Sequence, residues 1–245
     1  MSVQFKRGAL CLLALCIGCA GFAAPAQATQ SDIVIAGYPA PYVPESARVP
    51  DSYFADAVLV GDSLATGIPL YDAMPAMKNV YARTGLSPHT AATKEAFLLH
   101  NKPSRLRALM VWRKPRVAYL WLGLNGVDGL SAERVLKSYD ELLEQLISGL
   151  PNTLFYLMEV TPVQAKAASG HKMLNNDNIN AFNEGLYALA QAHNIYVLPI
   201  NAMLRDEDGR LDSDYAAGDG YHLRRKGYQA VVEYLYTHTI PLDAY

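Results

Sequence analysis

The chain has 245 residues, 51% of them apolar, with 21 lysines and arginines against 23 acids and a net charge of −2. That length accommodates one sizeable domain with its own core, and the composition excludes a disordered or low-complexity chain. The near-balanced charge offers no electrostatic argument for nucleic acid or for an anionic membrane surface, and the sequence shows neither a block of like charges nor an internal repeat.

The N-terminus reads as a targeting segment. Lys6 and Arg7 precede an apolar run from Gly8 to Phe22, and small residues follow as far as Ala28. A positive start, a short apolar middle and a small-x-small site predict a secretory signal over 1–28, cut after Ala28. The alternative, an uncleaved membrane anchor, needs roughly 18–20 apolar residues, more than this run supplies. Export would place the protein in the periplasm or outside the cell, with no stable membrane insertion once the signal is removed. Cys11, Cys16 and Cys19 all fall inside the signal. The exported chain is therefore expected to have no disulfide, no cysteine nucleophile and no thiolate metal site.

Residues 29–54 carry Pro39, Pro41, Pro44 and Pro50, which predict an extended arm lying on the domain or leading into it. In the remainder, 55–245, the apolar runs 57–60, 79–82, 117–123, 153–160 and 195–200 alternate with helical patterns. Apolar residues from Val135 to Ile147 repeat with a period of 3.6, with Ser131 placed to cap that helix and Gly149 to end it. Ile179 to Leu189 and Tyr228 to Leu235 repeat the pattern, and Pro103 predicts a split of 91–112 into two shorter helices. Continuous apolar strands alternating with amphipathic helices predict a three-layer α/β/α sandwich around a mainly parallel five-stranded sheet.

In such a sheet the ligand crevice lies beyond the carboxyl ends of the strands. Ser63 follows the first strand, and Gly61 before it allows a sharp turn that leaves the hydroxyl exposed. Asp219-Gly220-Tyr221-His222 offers a carboxylate three residues from an imidazole, a spacing that lets the one fix the tautomer of the other. Gly85, in the loop after the second strand, can present a bare backbone N–H, and Asn125, at the end of the third, a side-chain amide. Each feature also has a plain structural reading. Gly61-Asp62-Ser63 is an ordinary turn, Asp219 can cap the segment after it, Asn125-Gly126 is a common turn pair, and a single histidine near a helix start is often structural. His89, His100, His171, His193 and His238 have no carboxylate at the spacing of His222, although His171 can reach the same rim from the long 161–176 connection.

Taken in order, VLVGDSLATG, RTGLS, LGLN and DGYHL resemble the motifs of the SGNH hydrolases, also called GDSL-type esterases, over residues 55–238. The resemblance implies a flavodoxin-like SGNH hydrolase domain over 55–245. It assigns Ser63 as nucleophile, His222 as base and Asp219 as the residue that orients it. The oxyanion donors it implies are the N–H groups of Ser63 and Gly85 and the amide of Asn125. Gly126 departs from the pattern, since many relatives have an acid after the asparagine and here the first acid is Asp128. The implied activity is ester hydrolysis through an acyl-serine, with no metal or organic cofactor. An O-acetyl ester of a glycan is the expected substrate. The alternatives are a lysophospholipase, a broad short-chain esterase, or a non-catalytic glycan-binding protein that kept the fold.

Overall fold

The structure is a computed structural model that describes residues 39–167, 171 and 173–243. The signal expected over 1–28 and the arm before residue 39 lie outside the described residues, as do 168–170 and 172 of the 161–176 connection.

Seven strands and seven α-helices follow one another along the described chain. They are β1 (Ala57–Gly61), α1 (Ser63–Leu70), β2 (Asn79–Ala82), α2 (Pro88–Thr93), β3 (Phe97–Leu99), β4 (Lys102–Ser104) and α3 (Leu106–Arg113). Then come β5 (Val117–Trp121), α4 (Leu124–Val127), α5 (Ala132–Gly149), β6 (Leu154–Met158), α6 (Asn176–His193), β7 (Tyr196–Leu198) and α7 (Arg225–Thr237). All five apolar runs became the strands of one sheet, in the order β2-β1-β5-β6-β7, and every pair is parallel. Counting only these five, the order is 2-1-3-4-5, the doubly wound arrangement whose crevice opens where the winding reverses, here between β1 and β5.

The strands are long apolar runs because both of their faces are covered. Every residue of β1, β5, β6 and β7 is buried. On one face Tyr119 stacks on Tyr156 at 4.9 Å, and Phe54 joins Tyr119 to Tyr236 of α7. On the other, Tyr139 of α5 packs near Phe182 of α6 and donates to the Leu120 carbonyl at 3.2 Å. Fully buried Phe54 and Phe182 each contribute about 1.5–3 kcal/mol.

β7 is an edge strand, and an open edge invites pairing with other chains. Here the proline-bearing segment covers it. Val197 N–H donates to Pro41 O at 2.9 Å and Tyr42 forms a parallel bridge to Val197, after which Ser46 and Val49 donate to Thr237 and Tyr236 carbonyls. The segment ends in a 3-10 turn, Asp51–Phe54, whose Phe54 is buried in the core.

Three local expectations need correction. Pro103 does not simply divide two helices: it lies in β4, opposite Leu98 in an antiparallel hairpin. His100 and Asn101 both take positive φ, 51° and 62°, as a two-residue hairpin turn requires. Ser131 stands at the N-cap of α5 but makes no side-chain cap; Asn178 of α6 accepts from Ala132 N–H at 2.9 Å instead. Gly149 is the last residue of α5 and not its left-handed terminator. A Cβ there would stand 2.7 Å from Val111, so it is the close approach of α3 that requires glycine.

Candidate active site

The sheet register aligns the loops that carry the site. Gly61 pairs with Ala82 on one side and with Trp121 on the other, so β1, β2 and β5 end at one level. The residues that leave the sheet there are Ser63 from β1, Gly85 from β2 and Asn125 from β5.

Ser63 is the first residue of α1, one residue beyond the strand. Asp62 supplies the turn, with extended φ/ψ of −95° and −150°, and caps the helix by accepting from Leu64 N–H at 3.0 Å. Gly61 is not needed for a sharp turn, since its φ is not positive. A Cβ at that position would lie 2.3 Å from Ala65 Cβ and 2.7 Å from the Trp121 carbonyl, so glycine is what lets β5 and α1 close around the turn. As the first residue of a helix, Ser63 has a backbone N–H with no partner inside the helix. Among the described residues no acceptor takes it.

His222 arrives from a turn that Asp219 builds. One carboxylate oxygen, Oδ1, accepts from Tyr221 and His222 backbone N–H groups at 3.1 and 3.0 Å, and Oδ2 takes the Nδ1 proton of the imidazole at 2.7 Å. Nε2 is thereby left as an acceptor, and it lies 2.8 Å from Ser63 Oγ. Burial works against the charge on Asp219, but the three bonds from His222 and Tyr221 together hold its carboxyl below the usual carboxylate range. Gly220 adopts φ +84°, and a Cβ on it would strike Lys166 at 2.8 Å. The start of the 161–176 connection rests on this turn, with Gln164 N–H donating to Gly220 O at 2.8 Å.

Gly85 sits in a turn closed by Leu86 N–H to Arg83 O at 3.1 Å, and its φ of +77° is the conformation such a turn assigns to glycine. Ser87 and Thr90 fix the far side of the loop by capping α2 reciprocally. Gly85 N–H has no acceptor among the described residues. Asn125 sits in α4, which can start so abruptly because Gly123 takes φ +143° against Phe182 and Val160. Its side-chain amide donates to Leu86 O at 3.3 Å and also faces the buried Asp62 carboxyl. Gly126 is explained by packing: a Cβ there would meet Val135 of α5 at 2.6 Å.

Asp62 forms the floor of the site. It is fully buried, Oδ2 completes no hydrogen bond, and burial pushes the carboxyl up to about 7, with Leu64, Asn125 and His222 pulling the other way. The floor thus holds a carboxyl group that is easily kept neutral.

All five predicted residues are brought to one rim. Two histidine–carboxylate pairs were missed, and the first of them stands beside the site. His171 Nδ1 meets Asp128 Oδ1 at 2.7 Å, and the His171 ring stands 6.3 Å from Tyr221, itself 4.5 Å from the His222 ring. Similarly His193 pairs with Asp140 at 2.6 Å. Both carboxylates are more than forty positions from their histidines, beyond the reach of a search for local spacing. No group of three His, Cys, Asp or Glu among the described residues is placed to hold a metal ion.

A nucleophilic hydroxyl bonded to an oriented imidazole, beside unclaimed N–H donors, can attack a carbonyl and hold the resulting oxyanion. Comparison with known proteins agrees with that chemistry. The model of the GDSL-like Lipase/Acylhydrolase family matches residues 59–230. No curated protein matches the chain in sequence. Solved structures share the fold. A GDSL-like lipase of Bacteroides thetaiotaomicron is 15% identical with a TM-score of 0.60, over 76% of this chain and 88% of that one. A psychrotrophic esterase, EstA, of Pseudoalteromonas is 18% identical with a TM-score of 0.52, over 74% and 94%. A carbohydrate esterase family 3 protein of Talaromyces cellulolyticus is 14% identical with a TM-score of 0.54, over 73% and 93%.

Proposed function

Since the chain belongs to the GDSL-like Lipase/Acylhydrolase family and is a carboxylic ester hydrolase, we propose that it is an exported serine esterase that removes small acyl groups, above all O-acetyl, from a glycan. The observation that carries the catalytic part is the continuous chain from Asp219 through His222 to Ser63, at 2.7 and 2.8 Å.

In this reading His222 Nε2 takes the proton of Ser63 as the hydroxyl attacks the ester carbonyl, and Asp219 stabilises the imidazolium that forms. The tetrahedral oxyanion is met by the N–H groups of Ser63 and Gly85 and by the side-chain amide of Asn125. Collapse of that intermediate breaks the ester bond, and the leaving alcohol takes the proton back from His222. Water, deprotonated by His222, then attacks the acyl-serine; the Ser63 Oγ–acyl bond breaks, Ser63 takes the proton back from His222, and the carboxylic acid is released. The residues supply every proton transfer this cycle needs.

For the substrate, the support is the polarity of the surroundings. The cavity of about 470 Å³ beside Gly85 is lined by Arg83, Thr84, Thr90, Lys94 and Glu95 as well as Leu86 and Ala96, a poor host for a long acyl chain. Tyr221 beside His222 offers a ring against which a sugar can lie. A carbohydrate esterase among the fold relatives is in keeping with this. Export rests on the signal expected over residues 1–28. The test is a comparison of acetate release from O-acetylated glycans with fatty-acid release from lysophospholipids. Faster release from the glycans is expected, and preferential release of long-chain fatty acid would overturn the substrate assignment in favour of the lysophospholipase alternative.

A further inference from the structure

The overall charge of −2 conceals a segregation along the chain. Between Asp72 and Asp128 the chain carries nine lysines and arginines and a single acid, Glu95. Everywhere else acids outnumber cations, twenty-two to twelve. The basic residues fall on or beside β2, α2, the β3–β4 hairpin and α3, and eight of the nine are exposed. Among the described residues only Arg113 of this set is in an ion pair, with Asp56 at 2.8 Å.

The nine are not all at the site: Lys78 precedes β2, and Arg113 and Arg116 bond to Asp56 just before β1, at the end of the sheet opposite Ser63. Two of them, Arg83 and Lys94, border the site. Arg83 and Lys94 line the cavity of about 470 Å³ into which Gly85 opens, together with the hydroxyl-bearing Thr84 and Thr90. Arg83 is held at that wall by a bond from Nη1 to the Ala96 carbonyl at 3.0 Å. Glu95 also lines the cavity and leaves it with a net positive wall. Trp112, half exposed, stands edge-on to His100 at 5.1 Å, between α3 and the β3–β4 hairpin. Two cations without an ion-pair partner among the described residues, set at the mouth of a cleft, raise the local concentration of anions, an effect that salt screens.

We infer that the ester substrate is an acidic glycan, a polymer of carboxylate-bearing sugars, one anionic unit of which sits in the cavity beside Gly85 against Arg83 and Lys94. The inference rests on the esterase reading for the position of the reacting carbonyl. An anionic lipid surface is the competing occupant, but it is disfavoured here. A helix that lies in a membrane interface needs a continuous free apolar face; in α3 Leu106, Leu109 and Met110 are buried, and among its large apolar residues Trp112 alone is exposed, which with Leu98 of β3 makes no such face.

The test uses chemically O-acetylated polyuronate and an O-acetylated neutral glucan of equal acetylation, with wild type, Lys94→Gln and Arg83→Gln/Lys94→Gln. Wild type is expected to show kcat/KM about tenfold higher on the polyuronate at low salt, an advantage that vanishes at about 0.5 M salt. The double variant should lose most of that advantage while p-nitrophenyl acetate turnover stays within about twofold; the single variant should fall between. Equal rates on the two polymers, or an advantage indifferent to salt and to both substitutions, would overturn the inference. So would retention of Ser63→Ala on phosphatidylglycerol vesicles but not on immobilised, unacetylated polyuronate. That binding arm needs no turnover, so it decides the inference even if the wild type fails to hydrolyse p-nitrophenyl acetate, a result that would count against the esterase reading alone.

Discussion

His222 Nε2 lies 2.8 Å from Ser63 Oγ although 159 positions separate the two residues in the chain. Only the parallel sheet and the Asp219 turn bring them together. His222→Ala should therefore lower kcat for p-nitrophenyl acetate by on the order of 10⁴ or more, with far-UV circular dichroism unchanged. Asp219→Asn should lower it by on the order of 10³–10⁴, because the imidazole loses the partner that fixes its tautomer. Wild-type kcat in either variant would remove both residues from the mechanism.

Asn125 makes its decisive contact only when the carbonyl oxygen becomes an oxyanion. Asn125→Ala is expected to lower kcat by on the order of 10²–10³ and to leave KM nearly unchanged. Steady-state kinetics separate the two constants, and a rise in KM at constant kcat would mean that Asn125 binds substrate and transition state alike.

Buried Asp62 gives a pH signature. Its folded pKa of about 7 lies above the ordinary carboxylate value, so between about 4 and 7 the folded chain keeps a proton that the unfolded chain has lost. Stability from this group is present in full below about pH 4, falls as pH rises to about 7 and is level above. The fall amounts to about 4 kcal/mol if the group acts alone. Asp62→Asn removes it, so the melting temperature of the wild type relative to the variant should drop across that window. A difference independent of pH would show that Asp62 ionises as freely in the folded chain as in the unfolded one.

Gly61 is fixed by space. Gly61→Ala drives a Cβ against Ala65 and the Trp121 carbonyl, neither of which can rotate away. A loss of about 1–3 kcal/mol in chemical denaturation is expected. Because the strain falls next to Ser63, kcat should drop by about 10²-fold as well. An unaltered midpoint and full activity would show that the turn has more room than the structure gives it.

The five strands and the placing of Ser63 at their carboxyl edge were legible in the sequence for the same reason. A strand buried on both faces must be a continuous apolar run, and a polar residue just after it must lie at the sheet's carboxyl edge. The β3–β4 hairpin was not legible. Its strands are three residues each, Pro103 argues against strand, and the turn uses His100-Asn101 where glycine would have announced it. The Asp128–His171 pair was hidden because it joins the end of α4 to the long connection across the fold. The basic stretch between Asp72 and Asp128 escaped notice because its cations are interspersed among neutral residues while acids elsewhere cancel them in the total.

The most direct test of the catalytic assignment is the mapping of covalent label after reaction with a fluorophosphonate, which traps an activated serine. One adduct per chain is predicted, on Ser63, absent from Ser63→Ala and much slower to form in His222→Ala. An adduct on another residue, or hydrolysis of p-nitrophenyl acetate by a wild type that takes no label, would contradict the assignment.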